Sequence, residues 1–386
     1  MLLAAAACAE DGATSDVPDV GRPDWSEAGG ASRQDGGGAV EADSSSGGSD
    51  GGPASGSCEG EELALTGPPA NLPLLWEPPT NPSTSAGIAL GRRLFFDPRL
   101  SSDGRVACAT CHDPARAFGD GVALSRAGVS GRPLVRHAPS LWNAAWLDRG
   151  LFWDGGSKNL ESLSLAPLTH PDEMGRAGSL EPLLEELSGD SGYVAMFERA
   201  FGPGTPTLSQ LLRALAQFQR QIVAADARWD ARAEAPLSEE EQAGERVFQR
   251  ACARCHVPGL FTDRDFHNNG LDPDFAGEPE DPRQARARIS LSATDRGKYK
   301  TPSLRDIARS APYMHDGRFA TLEQVIDHYR FGMLESPSID AGFRREGAPP
   351  GVPMSDREAL DLVAFLGALT ESIDHPELQA PECSAP

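Results

Sequence analysis

The sequence contains the pattern Cys-x-x-Cys-His twice, as CATCH at 108–112 and as CARCH at 252–256. In this pattern the two thiols form thioether bonds to a haem, and the adjacent imidazole binds its iron. A zinc ribbon needs its cysteine pairs about 15–20 residues apart, and a thioredoxin-type dithiol follows a strand; neither fits here. We therefore predict two covalently bound c-type haems. The predicted attachment and ligand residues are Cys108, Cys111, His112, Cys252, Cys255 and His256.

The charge balance and the start of the chain constrain the partners and the compartment. A net charge of -22 argues against nucleic-acid binding, because phosphate needs a basic surface. Residues 1–9 (MLLAAAACA) resemble the end of a secretion signal with a lipoprotein cleavage box before Cys8. Residues 10–71 are acidic and rich in Gly and Ser, which predicts a disordered linker. We expect an exported, periplasmic protein that meets a membrane only through a lipid anchor at Cys8, and in which Cys58 and Cys383 could form a disulfide.

Apolar residues at helical spacing predict short helices joined by long loops. The predicted helices are 85–96, 208–223, one that Ser238 opens and that runs into the second motif, 321–331 and 355–369. No convincing strand alternation is present, so the predicted fold class is all-α. Together with the two motifs, this pattern predicts two cytochrome c-like domains, 84–232 and 237–374, each with one covalently bound haem.

Seven blocks of sequence, in the same order, resemble the bacterial dihaem cytochrome c peroxidase and MauG family over residues 84–372. The resemblance implies that the haem of the N-terminal domain reacts with hydrogen peroxide, and that the haem of the C-terminal domain accepts or stores electrons. The blocks are LGRRLFFDPRLSSDGRVACATCHDPARAFGDG (90–121), HAPSLWNAAW (137–146), LFWDGGSKNL (151–160), HPDEM (170–174), FHNNG (266–270), YKTPSLRDIARSAPYMHDGRFATLEQVIDHY (299–329) and LVAFLGALT (362–370).

The resemblance assigns roles to one carboxyl group and one indole. Glu173, in HPDEM, is the candidate acid–base group of the peroxide site, where one oxygen must lose a proton and the departing oxygen must gain one. Trp153, in FWDG, is the candidate electron relay between the haems. Taken alone, Glu173 would be a solvated loop acid and Trp153 a core residue, so the motif context carries both assignments.

The sequence departs from the family pattern around the first haem. Family members that need prior reduction block this haem with a His, but Val129 aligns there and cannot bind iron. The first haem is therefore expected to be open without activation. His137, Ser310 and Pro312 align with the family's calcium ligands, and because calcium prefers oxygen donors, His137 weighs against a calcium site. Leu163 also replaces a glutamine that usually lines the peroxide pocket.

The far ligand of the second haem separates branches of the family. Tyr329 aligns with the position where ordinary peroxidases have Met and MauG-like proteins have Tyr. Met333 is its rival, since it would share a helix face with Tyr329 if the helix continued. A third alternative is that Tyr329 is a packed aromatic and the haem has no sixth protein ligand. His315 and His267 are candidates for hydrogen bonding beside this haem, or for satisfied structural histidines.

These features favour a MauG-like oxidoreductase that reacts with hydrogen peroxide and oxidises a partner protein or substrate. One alternative is a peroxide-reducing cytochrome c peroxidase fed by a small cytochrome or a copper protein. A second is a dihaem electron carrier without peroxide chemistry, in which both irons would be six-coordinate. A third is haem-based binding of a small ligand.

Overall fold

The structure is a computed structural model that describes residues 67, 69–178, 180–275, 282–372 and 374–381. Residues 1–9, most of the linker, Cys58 and Cys383 lie outside the described residues. The described chain is mostly helical, in agreement with the predicted all-α class. Its α-helices are α1 Ser85–Phe96, α2 Cys108–Cys111, α3 Leu160–Leu163, α4 Leu165–Thr169, α5 Glu181–Gly189, α6 Ser191–Phe201, α7 Leu208–Gln219, α8 Glu239–Ala251, α9 Ala287–Ser290, α10 Leu322–Asp327 and α11 Asp356–Gly367.

Extended structure in the described residues is confined to two short strands and isolated bridges. Strand β1 (Phe266–His267) pairs antiparallel with β2 (Tyr299–Lys300). A π-helical turn, His328–Gly332, continues α10. Single 3-10 turns punctuate the loops: Pro98–Leu100, Pro114–Arg116, Ala144–Trp146, Pro282–Gln284, Ala293–Asp295, Ile307–Arg309, Ala341–Phe343 and Pro376–Leu378. No helix of the described chain is long and apolar enough to cross a membrane.

The predicted helices are confirmed, although two of them end early, the one predicted over 355–369 at Gly367. Thr84 caps α1, and Ser238 with Glu241 forms the predicted capping box of α8. The helix predicted over 208–223 instead ends at Gln219. The Ile222 carbonyl accepts a hydrogen bond from the Asn143 N–H at 3.0 Å, so this segment bonds to a neighbouring loop in place of a further helical turn.

A first hydrophobic core lies between α1, α6 and α7. Phe95 of α1 and Phe218 of α7 are fully buried, with ring centroids 5.2 Å apart. The two helices cross closely at Gly91, where a Cβ would overlap the carbonyl oxygen of Ala214. The helix that precedes the first Cys-x-x-Cys-His motif is thus held against α7 without space for a larger residue.

A second hydrophobic core repeats this arrangement around α8 and α11. Gly244 of α8 lies so close to α11 that a Cβ would overlap the carbonyl oxygen of Asp361. Phe248 and Phe365 pack together in this core, with ring centroids 5.0 Å apart. The described cores divide between Ala224 and Trp229. Below, the first half means residues 69–225 and the second half means residues 226–372.

The C-terminal segment, residues 374–381, returns to the first half. Leu378 is 1% exposed and packs in the first core. The buried guanidinium of Arg92 in α1 donates to the carbonyl of Gln379 at 2.7 Å. The end of the described chain therefore connects the two halves.

Candidate active site

The first motif forms a single helical turn that brings its three functional side chains together. Cys108 and Cys111 bound α2, and His112 caps its C-terminus. The Nδ1–H of His112 donates to the carbonyl of Phe118 at 2.9 Å, so Nε2 is the ring nitrogen left to bind a metal. Burial lowers the pKa of His112, which keeps the imidazole in its neutral, ligating form.

The second motif repeats this geometry. The Nδ1–H of His256 donates to the carbonyl of Phe261 at 3.0 Å, and burial again lowers the pKa of the imidazole. None of the four described cysteines is in a disulfide. Two free thiols and a neutral imidazole with Nε2 available are the donor set that a c-type haem requires, so both sites fit the group.

Glu173 faces the first motif. It follows α4 in a loop, and its negative charge contributes to raising the pKa of both Cys108 and Cys111. Burial raises the pKa of Glu173 itself, partly offset by His170, whose Nδ1 lies 3.8 Å from a carboxylate oxygen. A carboxyl group with a raised pKa exchanges protons closer to neutral pH than a solvated glutamate does.

Val129 lies beside Glu173. The N–H of Val129 donates to the carbonyl of Glu173 at 2.8 Å, and a Cβ on Gly128 would overlap the carbonyl oxygen of Asp172. The loop containing Val129 is therefore fixed against the loop containing the carboxyl group, and the apolar side chain of Val129 packs against the first core. Leu163 lies apart, packed against a small cluster that includes Leu160.

Trp153 contacts both halves of the molecule. Its indole N–H donates to the carbonyl of His137 in the first half at 2.9 Å. Its own carbonyl accepts the N–H of Lys300, in β2 of the second half, at 2.8 Å. The next residue, Asp154, is buried and pairs with Arg136 at 2.8 Å. The backbone of Trp153 thus joins the two halves, while its indole is fixed within the first half; its relay role stays a prediction.

Tyr329 faces the second motif. Burial, with smaller contributions from the charges of Cys252 and Cys255, raises the pKa of Tyr329 to about 12, and the hydrogen bond from Asn269 offsets part of this rise. Its hydroxyl oxygen accepts a hydrogen bond from the side-chain amide of Asn269 at 3.2 Å. Tyr329 lies in the π-helical turn, a rare element that often occurs at functional sites.

Met333 is placed differently from its rival. The helix ends at Gly332, and Met333 has an extended backbone. Its side chain is 4% exposed and packs with Ile339 and Phe343. Met333 therefore does not share a continuous α-helical face with Tyr329, which was the condition for its candidacy.

Sequence reasoning did not assign Asn269, which the structure brings to this site. Besides its bond to Tyr329, its amide N–H lies 3.7 Å from the sulfur of Met314. Asn269 belongs to the FHNNG block, so the resemblance contained a signal for it. Nothing in the spacing of that block, however, indicates that its side chain meets the phenol.

The two other histidines have contrasting surroundings. Both ring nitrogens of His267 bond to carboxylates, at 2.6 Å to Asp340 and 2.8 Å to Asp263, and hydrogen bonds to Asp263 and Cys255 raise its pKa to about 11. His267 is therefore a cation beside Cys255. His315 stacks on the ring of Tyr299 with centroids 3.6 Å apart, and burial lowers its pKa to about 4.

The residues aligned with calcium ligands bond to the protein. The Nδ1–H of His137 donates to the carbonyl of Val122 at 2.9 Å. The hydroxyl of Ser310 donates to the carbonyl of Ile307 at 3.2 Å, and Pro312 follows two residues later. The expectation that His137 weighs against a calcium site remains a prediction.

Comparison with known proteins finds close relatives along most of the chain. Residues 85–236 match the family model described as di-haem cytochrome c peroxidase. The chain is 40% identical over 299 residues to the methylamine utilization protein MauG of Methylorubrum extorquens, an alignment that covers 76% of this chain and 80% of the relative. It is 35% identical over 346 residues to a cytochrome c peroxidase of Denitromonas iodatirespirans, which covers 80% of this chain and 89% of the relative.

A solved structure agrees with these relatives. The crystal structure of a MauG-like protein associated with microbial copper homeostasis matches with a TM-score of 0.72 and 31% identity, over 83% of this chain and 99% of that chain. The family implies haem cofactors, and the residues of both motifs fit them. The chain belongs to the dihaem cytochrome c peroxidase family and is a peroxidase-type oxidoreductase.

Proposed function

We propose that this protein is a MauG-like dihaem enzyme that reacts with hydrogen peroxide at the His112 site and oxidises a partner protein or substrate. The observation that carries the proposal is the position of Glu173, whose carboxyl group lies within electrostatic range of Cys108 and Cys111 and whose carbonyl accepts the Val129 N–H. A carboxyl group is thus available for proton transfer, and Val129 offers no iron ligand.

The residues around the first motif divide the chemistry between them. A haem joined to Cys108 and Cys111 would supply, through its iron, the binding of peroxide and the electrons for O–O cleavage. Glu173 takes the proton from the inner peroxide oxygen and returns it to the departing oxygen, which leaves as water. Burial raises the pKa of Glu173, so its carboxyl group can both accept and release a proton closer to neutral pH than a solvated glutamate can.

Residues of the second half indicate to which branch of the family the protein belongs. We assign Cys252, Cys255 and His256 to the second covalent haem and Tyr329 to its far side. A phenolate is a hard anionic ligand that stabilises oxidised iron, whereas a Met thioether raises the potential and suits an electron-entry haem. Trp153, which bonds to both halves, would be the residue that relays electrons between the two haems.

A donor-fed cytochrome c peroxidase is the second candidate. It is favoured by the 35% identity to a relative of that name. It predicts that the ferric protein stays inert until one haem is reduced, and that a small cytochrome or copper protein delivers electrons.

The location and the partners extend the proposal. We infer an exported, periplasmic protein with a lipid anchor at Cys8 and a redox partner protein. Intact mass of the natively produced protein tests this, because processing would leave a lipidated Cys8 as the first residue. An unmodified Met1 would overturn the anchor.

The deciding experiment is the addition of one equivalent of hydrogen peroxide to the fully ferric protein while the optical spectrum is recorded. Immediate loss of the ferric Soret band, with a long-lived product, supports the MauG-like proposal. No change until the protein is half-reduced would replace it with the donor-fed peroxidase. Two low-spin haems that never react would indicate an electron carrier.

A further inference from the structure

Both motif imidazoles depend on the carbonyl of a phenylalanine with unusual backbone geometry. His112 donates to Phe118, and His256 donates to Phe261. The φ angles of these phenylalanines are +58° and +54°, in the left-handed region, and both side chains are fully buried. A residue with a Cβ stays in that region only when its surroundings hold it there. The packing of the phenylalanine ring therefore helps to set the direction of each accepting carbonyl, together with backbone bonds such as that from the Phe118 N–H to the Asp113 carbonyl at 2.9 Å.

A tryptophan packs on the phenylalanine ring in both halves, beside other rings: Phe95 in the first half, and Phe248 and Phe365 in the second. The rings of Phe118 and Trp142 are 5.1 Å apart at 82°, and the rings of Phe261 and Trp229 are 4.9 Å apart at 74°. Edge-to-face pairs of this kind are worth about 0.5–1.5 kcal/mol beyond the area that they bury. Each phenylalanine is thus held in the same way.

A carboxylate fixes each tryptophan in turn, and here the two halves differ. The indole N–H of Trp229 donates to Glu245, 16 residues away in the same half, at 2.8 Å. The indole N–H of Trp142 donates to Asp306, 164 residues away in the second half, at 3.1 Å. The support of the second imidazole is local, whereas the support of the first crosses the boundary between the halves.

Asp306 is itself held firmly by the second half. Its side chain is buried, and the residue is 1% exposed. Its other carboxylate oxygen accepts the N–H of Glu371 at 3.2 Å, and its own N–H donates to the carbonyl of Leu369 at 2.9 Å. The carboxylate is therefore tied to the segment that follows α11.

We propose that Trp142 is a positioning residue for His112, and that Asp306 makes the proximal side of the first haem responsive to the second half. The inference rests on the proposed haem attachment at His112. A well-aligned Nδ1–H···O=C bond gives the imidazole more imidazolate character, so it donates more strongly and stabilises ferric iron. Misalignment of the Phe118 carbonyl weakens that donation and raises the reduction potential of the first haem.

Trp142→Phe tests this, because it keeps an aromatic ring and removes the N–H. The matched control is Trp229→Phe in the second half. Both reduction potentials are measured by spectroelectrochemistry, and the iron–histidine stretching frequency of the high-spin haem by resonance Raman spectroscopy. We expect Trp142→Phe to raise the potential of the His112 haem, lower that frequency and leave the His256 haem unchanged. Trp229→Phe should shift the His256 haem alone.

Asp306→Asn is the second variant, since it keeps the shape and removes one of the two acceptor oxygens. It should shift the His112 haem in the same direction as Trp142→Phe. Unchanged potentials in both variants, or equal shifts of both haems, would overturn the inference. Mass mapping of the proteolytic peptides of the wild type first locates the attached haems. A chain without haem at the first motif refutes the proposed function, whereas a loaded chain with unmoved potentials refutes only the positioning role.

Discussion

The two halves share a frame and differ in what faces the motif. In both, a helix crosses its neighbour at a glycine, Gly91 or Gly244, before the Cys-x-x-Cys-His turn follows. The group near the motif differs, however: it is a carboxyl group, Glu173, in the first half and a phenol, Tyr329, in the second. We therefore propose that the shared frame fixes where a haem attaches, and that Glu173 in its loop and Tyr329 in its π-helical turn decide the chemistry of the two sites.

Removal of one attachment pair at a time is the strongest test of this division. Cys108→Ala with Cys111→Ala should lose one haem in mass and lose the fast reaction with peroxide. Cys252→Ala with Cys255→Ala should also lose one haem but keep that reaction. If the second double variant folds with its haem and is inert, the assignment of peroxide chemistry to the first half is wrong.

Glu173→Gln tests the carboxyl group alone. Loss of a general acid–base group should slow the reaction with peroxide by roughly 10²–10⁴-fold. Asp172→Asn is the matched control, because this neighbouring carboxylate pairs with Arg132 at 2.8 Å and is not assigned to the reaction. Stopped-flow measurement of the rate checks both variants.

The pH dependence of the reaction rate also tests the role of Glu173. Proton abstraction needs the ionised carboxylate, and burial raises the pKa of Glu173. The wild-type rate should therefore fall as the pH is lowered through a pKa above that of a solvated glutamate. The step should be absent in Glu173→Gln, and its persistence there would assign it to another group.

Tyr329→Phe probes the second half. Loss of an anionic ligand should raise the potential of the His256 haem, on the order of 100 mV, since axial ligands tune haem potentials over about 0.8 V. Met333→Leu, in the adjacent apolar cluster, should leave it unchanged. A shift in Met333→Leu with none in Tyr329→Phe would reverse the assignment.

Lys300→Met has the smallest expected effect and tests the boundary between the halves. The Lys300 ammonium is buried without a hydrogen-bond partner among the described residues, and burial lowers its pKa to about 8. Between that pH and the usual lysine pKa, the unfolded chain binds more protons than the folded chain, so wild-type stability rises with pH.

At pH 7 the Met variant should therefore be more stable by roughly 1–3 kcal/mol, with the gain shrinking above pH 8. Denaturant unfolding at pH 7 and 10 measures this difference. Lys298→Met is the control, because Lys298 pairs with Asp295 at 3.0 Å in a turn and should change little. A Lys300→Met variant less stable than wild type at pH 7 would show that the amine has a compensating partner.

Features that depend on residues close together in the chain could be predicted from the sequence, whereas contacts between distant residues could not. The capping box at Ser238 and the helical spacing in α1 depend on neighbours a few residues apart, so they are visible in sequence. The contact of Asn269 with Tyr329, by contrast, depends on how a loop of one block meets a turn of another. The bond from Trp142 to Asp306 spans 164 residues and has no pattern at all.

The packing of the C-terminal segment on the first half has a consequence for how the chain folds. Leu378 completes the core against which Cys108 packs, and the guanidinium of Arg92 donates to a carbonyl 287 residues further along the chain. The loop-closure entropy of such widely separated contacts must be overcome before the contacts stabilise the fold. Until the C-terminal segment docks, the first core therefore lacks Leu378, and the packing around Cys108 is incomplete.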